Sequence, residues 1–143
     1  MARDIKKIDA KGRFILPSKL KEKFGNGLVV TISLDPGYLC AYTVEAFAKI
    51  EDQLRNMNTV DAVMRALQRA IIGEALEIVP DSQGRISITS ELWDLIGAKA
   101  GDEICIVDFL DKLEICTKKH HDDHPVDIGA LVNLDEKYYV EGL

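Results

Sequence analysis

One short element occurs twice in this sequence at a fixed distance, and that duplication restricts the fold more than any other feature. Residues 8–20 align with residues 80–92 at an offset of 72, so that Asp9, Gly12, Arg13, Ser18 and Leu20 fall on Asp81, Gly84, Arg85, Ser90 and Leu92. Phe24-Gly25 falls on Ile96-Gly97. With a drift of a few residues, 28–32 then matches 104–107 and 39–42 matches 113–116. Agreement in both residue type and element order marks two copies of one supersecondary unit, each too small to bury a good core alone. The two units must therefore pack on each other, and their short strands leave edges open to further copies of the chain.

Local rules give the structure of each copy. Residues 5–8 and 76–79 read as short strands leading into a turn. Asp9 and Asp81 can close that turn by accepting from the backbone two residues on, and Gly12 and Gly84 supply the positive φ a tight strand-to-strand connection needs. Residues 13–16 and 85–88 alternate as strands. Ser18 and Ser90 stand where helix N-caps belong, and Gly25 and Gly97 end the short helices that follow. A second strand pair turns at Asp35-Pro36-Gly37 in the first copy and near 108–112 in the second. This divides the chain into a repeat at 5–47, a helical connector at 48–75, a second repeat at 76–119 and a polar, acidic tail at 120–143. Within and beside the connector, Thr43 can cap a helix over 45–55, and a second helix is expected over 60–72. Its Arg65 and Arg69, four residues apart, share one face and are expected to anchor a carboxylate, with a DNA phosphate as the other partner.

Charge placement says more than charge sum. Residues 1–24 carry eight bases against three acids, a net +5 within a chain whose formal total is −6, so the remainder carries −11. The basic set includes Lys6, Lys7, Lys11 and Arg13. A basic segment on an acidic body suits an anionic partner better than a generic polyanion binder would require. Three cysteines, Cys40, Cys105 and Cys116, are odd in number and set among apolar residues, which favours buried thiols over disulfides. No apolar run approaches the ~20 residues of a membrane helix. The polar start lacks a signal-peptide pattern, so a cytoplasmic location is expected.

Each turn ends in Gly-Arg, which sets a guanidinium at the start of a strand. The planar fork of arginine suits phosphate oxygens or a guanine edge. The Asp9–Arg13 and Asp81–Arg85 pairs can equally well serve only to lock the turns. Lys11 adds a charge to the first turn, whereas Gln83 keeps only hydrogen bonding in the second. His120, His121, Asp122, Asp123 and His124 are metal-capable but lie in an expected loop or tail, where a solvated linker is the simpler reading. No nucleophile–base pair has supporting motif context and no phosphate-binding glycine loop occurs, so neither an enzyme nor a cofactor is expected.

The paired Asp-x-x-Gly-Arg elements at 9–13 and 81–85, Pro17 after the first strand and the arginine helix at 64–73 resemble the MraZ family, of the SpoVT-AbrB class of bacterial regulators. The resemblance spans residues 5–117. It implies an α+β fold, with tandem pseudo-symmetric AbrB-like β-α-β repeats that form a small β-barrel-like core and are joined by helices. It also implies a ring-shaped homo-oligomer, nucleoid-associated, that binds double-stranded DNA at short direct repeats in the promoter of a division and cell-wall gene cluster. By the same resemblance Lys11, Arg13, Gln83 and Arg85 are the DNA-contacting set, with Lys6 and Lys7 added by the basic patch. Asp9, Gly12, Asp81 and Gly84 build the turns. Four features depart from the family pattern: Arg3-Asp4-Ile5 where a Phe and a Gly usually precede the first motif, Thr89 where a Pro is usual, Asp108 where a Gly is usual, and Cys116 where a Trp is usual. The competing reading is an AbrB-like antitoxin or protein-interaction module, although antitoxins usually carry one copy of the motif.

Overall fold

The computed structural model describes residues 3–131, 138 and 140–142. The first copy runs through β1 (Arg3–Lys7), β2 (Arg13–Ile15), a 3₁₀ turn (Ser18–Leu20), α1 (Lys21–Phe24), β3 (Leu28–Ile32) and β4 (Leu39–Thr43). Two helices follow, α2 (Val44–Arg55) and α3 (Ala62–Ile71). The second copy contains β5 (Leu76–Ile78), β6 (Arg85–Ser87), α4 (Ser90–Leu95), β7 (Glu103–Asp108) and β8 (Lys112–Thr117), with α5 (Lys118–Asp123) and a 3₁₀ turn (Ile128–Leu131) after it. The fold is α+β.

The duplication reappears as strand exchange. The six-stranded sheet has the order β1-β7-β8-β4-β3-β5, antiparallel throughout, and β2 and β6 form a separate antiparallel ribbon. Replacing each strand by its counterpart in the other copy reverses that order and leaves it unchanged, which is the signature of a pseudo-twofold. Strand β1 of the first copy pairs with β7 of the second (Ile5↔Cys105), while β5 of the second pairs with β3 of the first (Val29↔Glu77). Counterpart residues face each other where the axis passes, at Phe14↔Ile86 in the ribbon and Cys40↔Glu114 in the sheet.

Period-2 alternation explains how one core serves both copies. Leu28, Val30, Leu39 and Ala41 from the first copy, and Ile104, Ile106, Leu113 and Ile115 from the second, point from the sheet to the same side. There they join Phe14, Leu16 and Phe24 with Ile86, Ile88, Leu92 and Trp93. No single copy closes this core. The opposite face of β3 and β4 carries Val29 and Tyr42, covered by Phe47, Ile50 and Leu54 of α2 and by Leu67 and Ile71 of α3. The buried Thr31 hydroxyl donates to the Ile71 carbonyl at 2.5 Å and ties α3 to the sheet.

Several element ends differ from the sequence expectation, each for a capping reason. Thr89, not Ser90, accepts from the Leu92 amide (3.4 Å) and starts α4. Ser18 opens a 3₁₀ turn with no side-chain cap. Asp61 accepts from the Val63 amide at 2.8 Å, so α3 begins at Ala62 rather than at residue 60. The stretch holding the histidines is a helix rather than a loop. Thr117 caps it through the His120 amide (3.0 Å), and Lys118–Asp122 and Lys119–Asp123 pairs at 2.7 and 2.9 Å span its turns. Thr117 is the counterpart of Thr43, which caps α2 in the same way through the Ala46 amide (3.1 Å).

Candidate nucleic-acid interface

Both Asp-x-x-Gly-Arg turns close with the same hydrogen bonds. Asp9 Oδ1 accepts from the backbone amides of Lys11 and Arg13, both at 2.9 Å, and its Oδ2 accepts from Arg13 Nε at 2.8 Å. Asp81 does the same with Gln83, Arg85 and Arg85 Nε, at 2.9, 2.9 and 2.5 Å. Gly12 and Gly84 sit at φ +78° and +76°, the left-handed position that ends a three-residue hairpin loop. The Arg13 backbone amide, and then its guanidinium, hold the Asp9 carboxyl below the usual carboxylate range. Asp81 is lowered by the Arg85 amide and guanidinium in the same way. The turn-locking reading of the Asp–Arg pairs is thus realised, but only through Nε. Among the described residues the Nη groups of both arginines make no further hydrogen bond, so the fork is aimed without being consumed.

The ribbon brings the two arginines together. Arg13 stands opposite Ser87 and Arg85 opposite Ile15, while Phe14 and Ile86 between them point into the core. Alternation therefore puts Arg13, Ile15, Arg85 and Ser87 on one outward face of a two-stranded ribbon, with exposed Lys11 and Gln83 at the tips of the flanking turns. Each strand is stitched to the other copy's turn: the Leu16 amide donates to the Gly84 carbonyl at 2.9 Å, and the Ile88 amide to that of Gly12 at 3.3 Å. Lys6 and Lys7 are not part of this face. They lie on β1, an edge strand of the large sheet, with Lys7 across from Glu103.

Two residues of the site escaped sequence reasoning. Trp93 Nε1 donates to the Gly12 carbonyl at 2.9 Å, and the indole meets Phe14 edge-on at 6.1 Å. Its counterpart at the offset of 72 is Lys21, whose Cε would lie 3.3 Å from a Cβ on Gly84. Each short helix thus covers the other copy's turn. The first turn is braced by an indole, and the second gains the lysine charge that Gln83 does not supply. The repeat alignment held the signal, but only strand exchange brings position 21 to turn 84 and position 93 to turn 12.

Elsewhere, Arg65 donates to the Thr59 and Val60 carbonyls at 2.8 and 2.7 Å, and among the described residues neither Arg65 nor Arg69 meets a carboxylate. His120 packs edge-on against Tyr38 at 4.9 Å and stacks on His124 at 4.1 Å, and burial lowers its pKa. His121 Nε2 meets Arg3 Nη1 at 2.9 Å. Cys40, Cys105 and Cys116 are free, buried thiols. Among the described residues no helix is long and apolar enough to cross a membrane.

Sequence comparison agrees with this geometry. Residues 4–70 match the family model described as "MraZ protein, putative antitoxin-like". The transcriptional regulator MraZ of Lachnoclostridium phytofermentans is 36% identical over 129 residues, covering 90% of this chain and 85% of that protein. The chain belongs to the MraZ family. The transcriptional regulator MraZ of Acetivibrio thermocellus is 32% identical over 120 residues (84% of this chain, 82% of its own), and that of Lactiplantibacillus plantarum 32% over 129 (90% and 88%). MraZ proteins are named as transcriptional regulators, so this chain falls in a regulator family rather than an enzyme family. Both Asp-x-x-Gly-Arg turns and the ribbon between them are thus features of an MraZ chain.

Proposed function

We propose that this MraZ chain binds double-stranded promoter DNA at short direct repeats, as a ring-shaped homo-oligomer, and that the β2–β6 ribbon with its two turns is the contact surface. One observation carries the reading: two arginines, each oriented by its own aspartate through Nε, share the outward face of a two-stranded ribbon. Such a ribbon fits the major groove, where a guanidinium fork reads guanine or grips phosphate. Lys11 and Lys21 add a charge at each turn. Gln83 suits an adenine edge, and Gly12 and Gly84 let backbone approach the duplex closely. Lys6 and Lys7, on their edge strand, serve as longer-range attraction rather than direct contact. Oligomerisation resolves the paradox of a net-acidic DNA binder, since weak ribbons repeated around an assembly engage repeated sites together. Membership of the family points to the division and cell-wall cluster promoter as the operator and to the nucleoid as the location.

The test is Arg13→Ala and Arg85→Ala, made separately and measured by mobility shift on upstream DNA alongside light scattering. Each is expected to weaken specific binding by about 1–3 kcal/mol, roughly 5- to 150-fold, without changing particle mass. Affinity is also expected to fall steeply with added salt. Loss of folding or of assembly, with intrinsic DNA affinity intact, would show that the Asp–Arg pairs serve only to lock the turns.

A further inference from the structure

The two halves of the large sheet are covered unequally on the face away from the core. Helices α2 and α3 lie over β3 and β4, whereas β7 and β8 carry only the six-residue α5. Beside α2 and α3 is an open cleft of about 540 Å³ lined by Arg55, Arg65 and Arg69 with Thr59, Gln68 and Ile72. Among the described residues no carboxylate lines it. Arg65 is fixed there by two backbone carbonyls and Arg55 by Glu51 (2.8 Å), while the exposed Arg69 meets no acceptor among the described residues. Flanking it in the chain are Met57, Val60 and Val63, exposed apolar side chains that a phosphodiester would not recognise. Beside α5, on the other half, is a groove of about 440 Å³ holding Asp102, Glu103, Asp122 and Asp123. Its two lysines are already paired with Asp122 and Asp123, so its charge is net negative, and Glu103 is exposed. Exposed Val126, Ile128 and Leu131 follow it in the chain.

We infer that the arginine cleft beside α2 and α3 takes the acidic groove beside α5 of a second copy of this chain. The inference deepens the assembly part of the proposed function and rests on it. Each side offers charge of the opposite sign next to exposed apolar residues, the pattern of a protein interface rather than of a nucleic-acid one. The two patches differ and sit on opposite halves of one sheet. Such a pair of unlike patches supports a head-to-tail contact, whose repetition closes a ring when its rotation brings the last copy back to the first.

Arg69→Glu poisons one end of the subunit and Glu103→Lys the other. Both side chains are exposed, so neither change threatens the fold, and circular dichroism verifies that. Light scattering and sedimentation should show each variant alone as a monomer, with self-association weakened about 30-fold or more. Mixed in equal amounts, the two should grow again beyond a dimer, because an intact cleft meets an intact groove at one contact and the two altered patches, with their charges exchanged, meet at the next. A mixture that stops at a 1:1 dimer would instead mark an isologous contact, in which both pairs form at once, and would overturn the head-to-tail reading. Wild-type-sized particles for either variant, or a mixture that stays monomeric, would overturn the inference while leaving a ring-forming wild type intact. A wild-type protein that is itself monomeric would overturn the assembly reading and this one together. If Arg69→Glu lost DNA affinity at unchanged particle mass, the cleft would be a phosphate site instead.

Discussion

Gly12→Ala and Gly84→Ala, taken as a pair, test whether the two turns are unequal in the way the structure describes. The backbone φ is nearly the same at both, +78° and +76°, so the left-handed penalty is shared. That penalty is about 1–2 kcal/mol, offset by about 0.4–1 kcal/mol because alanine narrows the unfolded ensemble. The neighbours differ. A Cβ on Gly12 would lie 3.1 Å from the Ile88 carbonyl oxygen and 3.5 Å from Trp93 Nε1. The Ile88 backbone, whose amide donates to the Gly12 carbonyl, must give by a few tenths of an ångström there, while the indole stays in ordinary contact. Shifting that backbone, with its bond to Gly12, adds about 1–2 kcal/mol. A Cβ on Gly84 meets only the far end of the Lys21 side chain, at 3.3 Å, which can swing aside. The expected destabilisation is about 2–3 kcal/mol for Gly12→Ala and about 1 kcal/mol or less for Gly84→Ala. Urea unfolding at one fixed protein concentration measures both, since assembly makes apparent stability depend on concentration. Equal losses, or a larger loss at Gly84, would refute the claim that the first turn is the more closely packed of the two.

Trp93→Phe is expected to remove the bond to the Gly12 carbonyl while keeping most of the aromatic volume, destabilising by about 1–2 kcal/mol by urea unfolding and weakening DNA binding less than Arg13→Ala does. Asp9 and Asp81 have folded pKa values below the ordinary 3.8, so their contribution is complete above that value and is lost as pH falls through the lower folded values. NMR signals of the Arg13 and Arg85 Nε protons should therefore persist unchanged down through 3.8 and vanish only at lower pH; collapse at pH 5–6 would implicate other groups. Burial pushes the Cys116 thiol up to about 12 and raises those of Cys40 and Cys105 as well. Ellman's reagent at pH 8 should titrate no thiol until the protein is unfolded; rapid labelling of the native protein would show that the sheet face beneath α5 is open.

How much of this was legible in advance depended on whether the information was local. The turns were, because Asp9 and Gly12 act on residues within the same five, and their hydrogen bonds match the Asx reading. The α2 cap at Thr43 was legible for the same reason. Extending the match of 39–42 to 113–116 by one residue, from Thr43 to Thr117, would also have exposed that cap and made residues 118–123 a helix; the density of histidines and aspartates obscured it. What could not be read was pairing between copies. Nothing near Ile5 says that it will sit beside Cys105 rather than within its own repeat, because β1 completes a sheet whose other members lie far along the chain. The placement of Lys21 over Gly84, and of Trp93 over Gly12, follows from that exchange alone. So does the isolation of Lys6 and Lys7 on an edge strand, away from the ribbon their charge suggested. Arg65 illustrates a different limit: its partners are backbone carbonyls in the α2–α3 connection, which helical spacing cannot anticipate.

Where the two copies have stayed alike and where they have diverged separates two demands on the chain. In the ribbon and through most of the core the counterparts remain interchangeable in kind: Phe14 faces Ile86, and the sheet order reads the same from either end. A change there would be felt by both halves at once, since they share one packed interior. The largest divergences lie in what braces the turns and covers the sheet, in Trp93, which packs into that interior, against Lys21, and in α2 and α3 against the single short α5. A true twofold dimer of identical repeats could not diverge in this way, because every substitution would appear on both sides. Fusing the repeats into one chain frees each side to specialise. A subunit with one helical, arginine-bearing flank and one bare, acidic flank can meet its neighbours head to tail, while the ribbon on the axis keeps both arginines on a single face. Duplication followed by unequal decoration thus yields polarity for assembly without giving up the paired guanidinium groups that the proposed DNA contact needs.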